Sequence, residues 1–377
     1  MLKLLSLIVL CTLVSAIIDI ANTRRNDVRL TIKQDVVSKI IYYAILISLI
    51  LFSGMRTTYN DTTAYTHAFT LTDVSNISLS TLFEGYGGFT LLQQLIYKYI
   101  SVDPQMLLLL VSVILNVLFL SFIRNHCEFF SESLFLYFIG IYVFTMAGIK
   151  QSIAMAISLV AIEKMINRKY IGFVFFIIIA MMFHPYIVVL LVLPFLKKKA
   201  WGKNTAFVLL VGIVAALNLD NVLEFAGLIG KDYDIETFED YTINPFRVVI
   251  EAIPIFVYLL SLRKIRINNN NEYVTLGINM SLIRFFMIFL GLFFNPVYFG
   301  RIGSYFGVLD MIVIPIVLNK PELRNDRMGA ILKYSYYIVM TIYFLLDMTK
   351  LGTISITKDV FNHISFAELF QLVGLKQ

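Results

Sequence analysis

Charged side chains make up only 15% of this 377-residue chain, against roughly a quarter in soluble globular proteins. Histidine, cysteine and tryptophan are scarcer still, at four, two and one. Each scarcity excludes something. Two cysteines, Cys11 and Cys127, imply neither a disulfide scaffold nor a cysteine metal site. The four histidines, His67, His126, His184 and His363, include no pair at metal-binding spacing, so no metal site is expected. There is no Walker-type glycine loop, dinucleotide fingerprint or Gly-x-Ser-x-Gly elbow, and no cofactor is expected. The net charge of +6 is spread over short basic clusters rather than one basic, aromatic face, which argues against a nucleic-acid partner.

What the chain has instead is apolar residues, 59% of the total, in runs that recur from the first residue to about 347 without a long polar insert. That composition describes an all-α, polytopic transmembrane bundle in one domain of 1–377. Within it, 1–53 holds two spans, 54–103 is an outer loop, 104–347 is the helical core and 348–377 a tail. Residues 1–20 have a signal-like pattern, yet Arg24, Arg25, Arg29, Lys33 and Lys39 follow, and such a loop prefers the cytoplasm. The first span is therefore expected to enter from outside and stay.

Further spans are expected near 104–123, 134–147, 150–166, 205–219, 246–262, 274–294, 303–318 and 333–347. The run 170–196 admits either one helix kinked at Pro185 or two short helices folding back there. Charge selects between them. A single span would place Lys197, Lys198 and Lys199 opposite Arg168 and Lys169, so the positive-inside rule favours a hairpin around His184-Pro185. With the hairpin, about 12 membrane elements result, with both termini outside. Twenty basic residues then fall in cytoplasmic segments and nine in outer ones.

Helical spacing of Phe89, Leu92, Ile96 and Tyr99 over Gln93, Gln94 and Lys98 suits an interfacial helix or an ordinary packing helix. The acidic stretch 220–245, with Tyr233 and Tyr241, is either a solvated connector or the cover of a site. Arg56, Asp61, Glu84, Lys150, His184, Arg247 and Arg301 collect at the outer face, several at the ends of spans. A cation there either snorkels or meets an anionic headgroup, and arginine presents a planar fork suited to phosphate oxygens. Arg284 differs, lying midway along 274–294, where a charge needs a partner in the protein interior. Glu251 is the first acidic candidate and Asp310 the second; a structural ion pair and a functional group remain equally open.

Three motifs resemble one family, the EpsG-type, Wzy-like polymerases of bacterial exopolysaccharide, capsule and O-antigen. Ser53-Gly54-Met55-Arg56, followed by Asp61 and Tyr65, is similar to that family's Gly-x-Arg, Gly-x-Asp and downstream tyrosine. Gly148-Ile149-Lys150-Gln151-Ser152-Ile153-Ala154, with Phe183-His184 further on, is similar to its Arg-Gln-x-x-Ala and Phe-His elements. Glu84 to Phe89 is similar to a Glu-Pro-Gly-Phe element, and Arg301 and Tyr305 resemble its C-terminal region. The chain departs from the pattern at Lys150, at Tyr59-Asn60, where the family has Gly-Thr, and in lacking the proline after Glu84. Lysine keeps the charge of arginine and loses its bidentate geometry.

The resemblance implies a membrane glycosyltransferase of the bacterial cytoplasmic (inner) membrane. It would transfer a growing glycan from undecaprenyl diphosphate to a new lipid-linked repeat unit, with inversion. With the resemblance, Asp61, His184 or Glu84 is expected as base and Arg56, Lys150, Gln151, Arg301, Tyr305 and Tyr65 as binding diphosphate or glycan; Arg284 and Arg247 join that binding set from their charge placement alone. Its partners would be lipid-linked oligosaccharide donor and acceptor, membrane lipid, and the chain-length regulator and flippase of the same pathway. A flippase or transporter of a lipid-linked or anionic substrate, and an O-antigen ligase, are the alternatives.

Overall fold

In a computed structural model, residues 1–24, 36–75, 77–83, 85–218, 243–264, 271–351 and 361–374 are described. Glu84 and positions 220–242 of the acidic stretch, with Tyr233 and Tyr241, lie outside them. The elements among the described residues are helices. In order, α1 is Leu2–Arg24, α2 Val36–Gly54, α3 Thr62–Thr70, α4 Gly87–Tyr99 and α5 Pro104–His126. α6 (Phe130–Tyr137) continues through one π turn into α7 (Val143–Ala147), and α8 is Ile149–Ile166. α9 (Tyr170–Phe183) is followed by a 3-10 helix, Pro185–Val192, then α10 (Leu193–Leu196) and α11 (Lys203–Leu217). α12 is Pro245–Lys264, α13 Glu272–Leu290, α14 Pro296–Phe306, α15 Asp310–Leu318 and α16 Pro321–Arg324. α17 (Arg327–Leu346) and α18 (Phe366–Leu372) complete the set.

Helix starts follow from sequence. Asp103, Asn271 and Asn295 each accept a backbone N–H of the first turn of α5, α13 and α14, and Pro104 and Pro296 need no N–H there.

The expected all-α architecture is present, and of the expected 12 or so membrane elements a smaller number is supported. Among the described residues six helices are long and apolar enough to cross a bilayer, or seven if the pair α14 and α15, bent by 54°, forms one broken span. The physical reason is length and charge. α9 has 14 residues, roughly 21 Å against a hydrocarbon layer of roughly 30 Å. α8 carries Lys150, Glu163 and Lys164 within its 18 residues.

The chain divides into two compact units, Met1–Ala156 with Ile342–Gln377, and Ile157–Thr341. In the first, α2 packs closely on α5: a Cβ added to Gly54 would lie 2.9 Å from Leu109 Cδ1 and 3.1 Å from its Cα, so only glycine fits. Polar groups stitch the same seam, with Ser53 and Ser112 hydroxyls 2.6 Å apart and Asn116 Nδ2 donating to Ser53 Oγ at 3.2 Å. Tyr142 Oη donates to Leu49 O at 2.9 Å.

In the second unit, the run after Tyr170 folds back. α9 packs against the 3-10 helix that follows it, and Lys197 Nζ donates to Tyr170 Oη at 3.0 Å. The two ends of the run therefore meet, which a continuous span of roughly 40 Å cannot do. Glu272 receives Arg168 and sits 3.6 Å from Lys197 Nζ, closing the base of the hairpin.

Candidate functional site

In the first unit Arg56 follows directly on the end of α2 and is 2% exposed. Its Nε donates to Thr62 Oγ1 at 3.1 Å, Nη1 to Ser53 O, and Nη2 to Met146 O at 3.1 Å. All three acceptors are neutral, and no carboxylate among the described residues lies within 4.0 Å. Burial in this loop pulls the guanidinium down to about 10, so it is still a cation at neutral pH. Gln105 Nε2 fixes the loop from below by donating to Arg56 O at 3.1 Å.

The bond to Met146 brings Arg56 to the C-terminal end of α7, four residues before Lys150. Lys150 Nζ lies 4.2 Å from the Tyr86 ring centroid and 5.4 Å from that of Phe89, a cation–π site at the start of α4. Tyr65 also contacts Phe89, edge-on at 5.8 Å. Asp61 is exposed and precedes α3, whose first residue, Thr62, holds Arg56. Gln151 is buried in α8 beside Lys150. Arg56, Asp61, Tyr65, Lys150 and Gln151, from two separate motifs, thus gather around the starts of α3, α4 and α8. Gly87 permits the tight turn into α4, because a Cβ there would lie 1.7 Å from Thr81 O.

Phe89 and Ile96 of α4 are buried against protein, whereas Tyr99 is exposed. Gln94 is also buried and donates to Asp73 O at 2.9 Å.

The second unit holds the remaining candidates in two groups. His184, at the tip of the hairpin and buried, is hydrogen-bonded through Nδ1 to Tyr305 Oη of α14. Tyr186 packs edge-on to Tyr298 at 5.8 Å beside it. Arg301, one turn before Tyr305 on α14, is half-buried.

The other group surrounds Arg284. Its Nε and Nη2 grip Glu251 in a two-point fork at 2.7 and 2.9 Å, and Nη1 lies 3.4 Å from Asp310 Oδ2. Asp310 is held in turn by Ser281 and by Tyr258 Oη at 3.3 Å. Arg247 Nε reaches Glu251 Oε1 at 3.9 Å. Both acidic partners expected for Arg284 are therefore in place. Gly307 makes room for it, since a Cβ there would sit 2.2 Å from Arg284 Nη1.

Sequence reasoning missed one contributor to the Arg56 loop. Arg56 and His363 form an isolated antiparallel bridge, with Thr57 N donating to Asn362 O at 2.8 Å and Ile364 N to Met55 O at 2.9 Å. Phe361 stacks on Tyr59 at 4.7 Å, and His363 Nε2 lies 3.0 Å from Phe52 O. No local pattern marks this pairing, because its two sides lie far apart in the chain.

Among the described residues no group of three or more His, Cys, Asp or Glu is placed to hold a metal. A family model described as the EpsG family matches residues 39–362. No curated protein and no solved structure gives a match.

Proposed function

From its membership of the EpsG family, to which this chain belongs, we propose that the protein is a polymerase of lipid-diphosphate-linked oligosaccharide repeat units. The observation that carries this reading is Arg56. It is a buried cation with only neutral acceptors among the described residues, in one cluster with a second cation, Lys150. Two of its five N–H groups remain beyond the three used. A cation in that state favours an incoming anion, and the diphosphate leaving group is such an anion.

In the proposed reaction an acceptor hydroxyl attacks the anomeric carbon of the donor. The bond from that carbon to the diphosphate oxygen breaks, and the lipid diphosphate leaves with the electron pair. Arg56 and Lys150 stabilise the charge that develops on it. The hydroxyl proton passes to a base, for which Asp61, exposed at the start of α3, and His184 are the candidates. Tyr65, Gln151, Arg301 and Tyr305 would contact diphosphate or glycan. Arg284 and Arg247, already engaged with Glu251 and Asp310, would act on substrate only by exchanging those partners. A single displacement inverts the anomeric configuration. The reading places the chain in the bacterial cytoplasmic membrane, working with the flippase and chain-length regulator of its pathway.

Purified protein in proteoliposomes, supplied with its own lipid-linked repeat unit, should give a ladder of products. Arg56→Ala should slow chain lengthening by roughly 100-fold or more, the usual loss for one electrostatic donor. No lengthening by the native protein sinks the proposal. Movement of the lipid-linked unit across the bilayer without lengthening would support the flippase alternative instead.

A further inference from the structure

The EpsG match stops at residue 362, yet the strap that pairs with the Arg56 loop continues into α18. α18 starts with a complete capping box. Ser365 Oγ accepts from Glu368 N at 3.2 Å, and Glu368 Oε2 accepts from Ser365 N at 2.7 Å. The seven residues Phe366–Leu372 thus have their own start signal, although a helix this short is marginal alone in water.

At 100° per residue, Phe366, Phe370 and Val373 fall on one stripe roughly 60° wide, with Glu368 and Gln371 on the opposite face. Leu369, beside the stripe, is buried against protein. The stripe is not: Phe366 is 59% exposed, Phe370 51% and Val373 50%. Two phenylalanines and a valine on the outside of a helix beyond the spans need an apolar contact.

Position along the membrane normal decides which. α2 is an apolar span of 19 residues ending at Gly54, and Ile364 N bonds to the carbonyl of the next residue, Met55. Phe366 lies two positions on from Ile364, a reach of at most roughly 7 Å. The headgroup layer on each side of the hydrocarbon is roughly 5–7 Å thick. With the end of α2 taken as the edge of the hydrocarbon, the start of α18 falls in that layer or at its edge, on the membrane face where α2 ends.

We propose that α18 is an interfacial anchor that lays Phe366, Phe370 and Val373 among the lipids, and so ties the strap over the Arg56 loop to the membrane surface. Its partner is the lipid acyl–headgroup boundary, met by an amphipathic helix lying in the plane. This inference rests on the family membership, the spans and the bridge, and not on the reaction proposed above. The anchor holds one end of the segment 361–374, and Arg56 holds the other.

The single tryptophan makes a direct test available. Trp201 Nε1 is buried with no hydrogen-bond partner among the described residues, so Trp201→Phe breaks no described bond of that group and leaves the chain free of tryptophan. In that background Phe370→Trp, and separately Phe366→Trp, place a reporter on the stripe, and Gln371→Trp places one on the polar face. The full chain is reconstituted in phosphatidylcholine brominated near the top of its acyl chains. Emission from the two stripe positions should be blue-shifted and roughly halved by the bromines, with the Gln371→Trp reporter unaffected. Water-like, unquenched emission from both stripe reporters would overturn the anchor. So would blue-shifted emission that bromolipid does not quench, since protein and not lipid would then cover the stripe.

Discussion

Arg56 is buried and Arg284 half-buried, and the two differ in what neutralises them. Arg284 has a carboxylate on each side, Glu251 and Asp310, and together with Arg247 the four charges balance. Removing one member of such a buried set costs more than the set contributes, because the others lose compensation. Arg284→Gln should therefore destabilise the protein by about 3–5 kcal/mol, read as a lower melting temperature in detergent. Arg284→Lys should recover part of the loss, having charge without the fork. Unchanged melting of the glutamine variant would show that the network contributes nothing to folding. Arg56 differs in that its removal would free no carboxylate, since its acceptors are carbonyls and one hydroxyl. The sequence pointed to the Arg284 pair because a mid-span charge must be compensated by another intramembrane charge, of which few exist. It pointed to Arg56 through a motif, and its neutral shell was illegible, since backbone carbonyls carry no residue signature.

Helix ends are coupled to one another by single side chains. Asp19, near the end of α1, accepts from Phe130 N and Ser131 N, each at 2.9 Å, and so caps α6 from a different helix. Asp19→Ala should cost about 1–2 kcal/mol and Asp19→Asn less, measured by thermal unfolding; equal stability of all three forms would remove the cap from the account. Asn279, fully buried on α13, holds the turn after the hairpin. Its Oδ1 accepts from Trp201 N at 2.7 Å, and its Nδ2 donates to Lys199 O at 2.9 Å. Asn279→Leu leaves those backbone groups without partners and should cost about 2–4 kcal/mol in the same measurement. Phe89 and Ile96 show the limit of periodicity: their spacing fits an interfacial helix as well as a packed one, and only the neighbours decide.

Across the molecule, close pairs within each unit agree with the alternation of sides drawn from basic residues. Asp19 meets the start of α6, Tyr170 meets Lys197, Arg168 meets Glu272, and His184 meets Tyr305. Each pair joins segments that the positive-inside rule assigns to one face. The hairpin is the decisive link, because a single span there would invert everything after it. In a Cys11→Ser, Cys127→Ser background, Arg168→Cys and Lys198→Cys should react with a membrane-impermeant maleimide from the same side, the cytoplasmic one. Labelling from opposite sides would break the hairpin and move Arg301 to the other face. The number of full crossings was only partly legible. Hydropathy shows where helices form, but bent pairs such as α14 and α15 and short helices such as α9 and α11 depend on what packs beside them.

The sequence alone determined that this is a helical chain of membrane-type apolar runs, and its charge pattern favoured a turn within 170–196 that the Tyr170–Lys197 contact then decided. Composition, charge and helix length act locally and are read locally. Only the tertiary structure decided that Arg56 is buried among neutral acceptors, that Lys150 lies over Tyr86 and Phe89, and that His363 straps the loop from 311 positions beyond Phe52. Those contacts join residues far apart in the chain, so no local pattern encodes them.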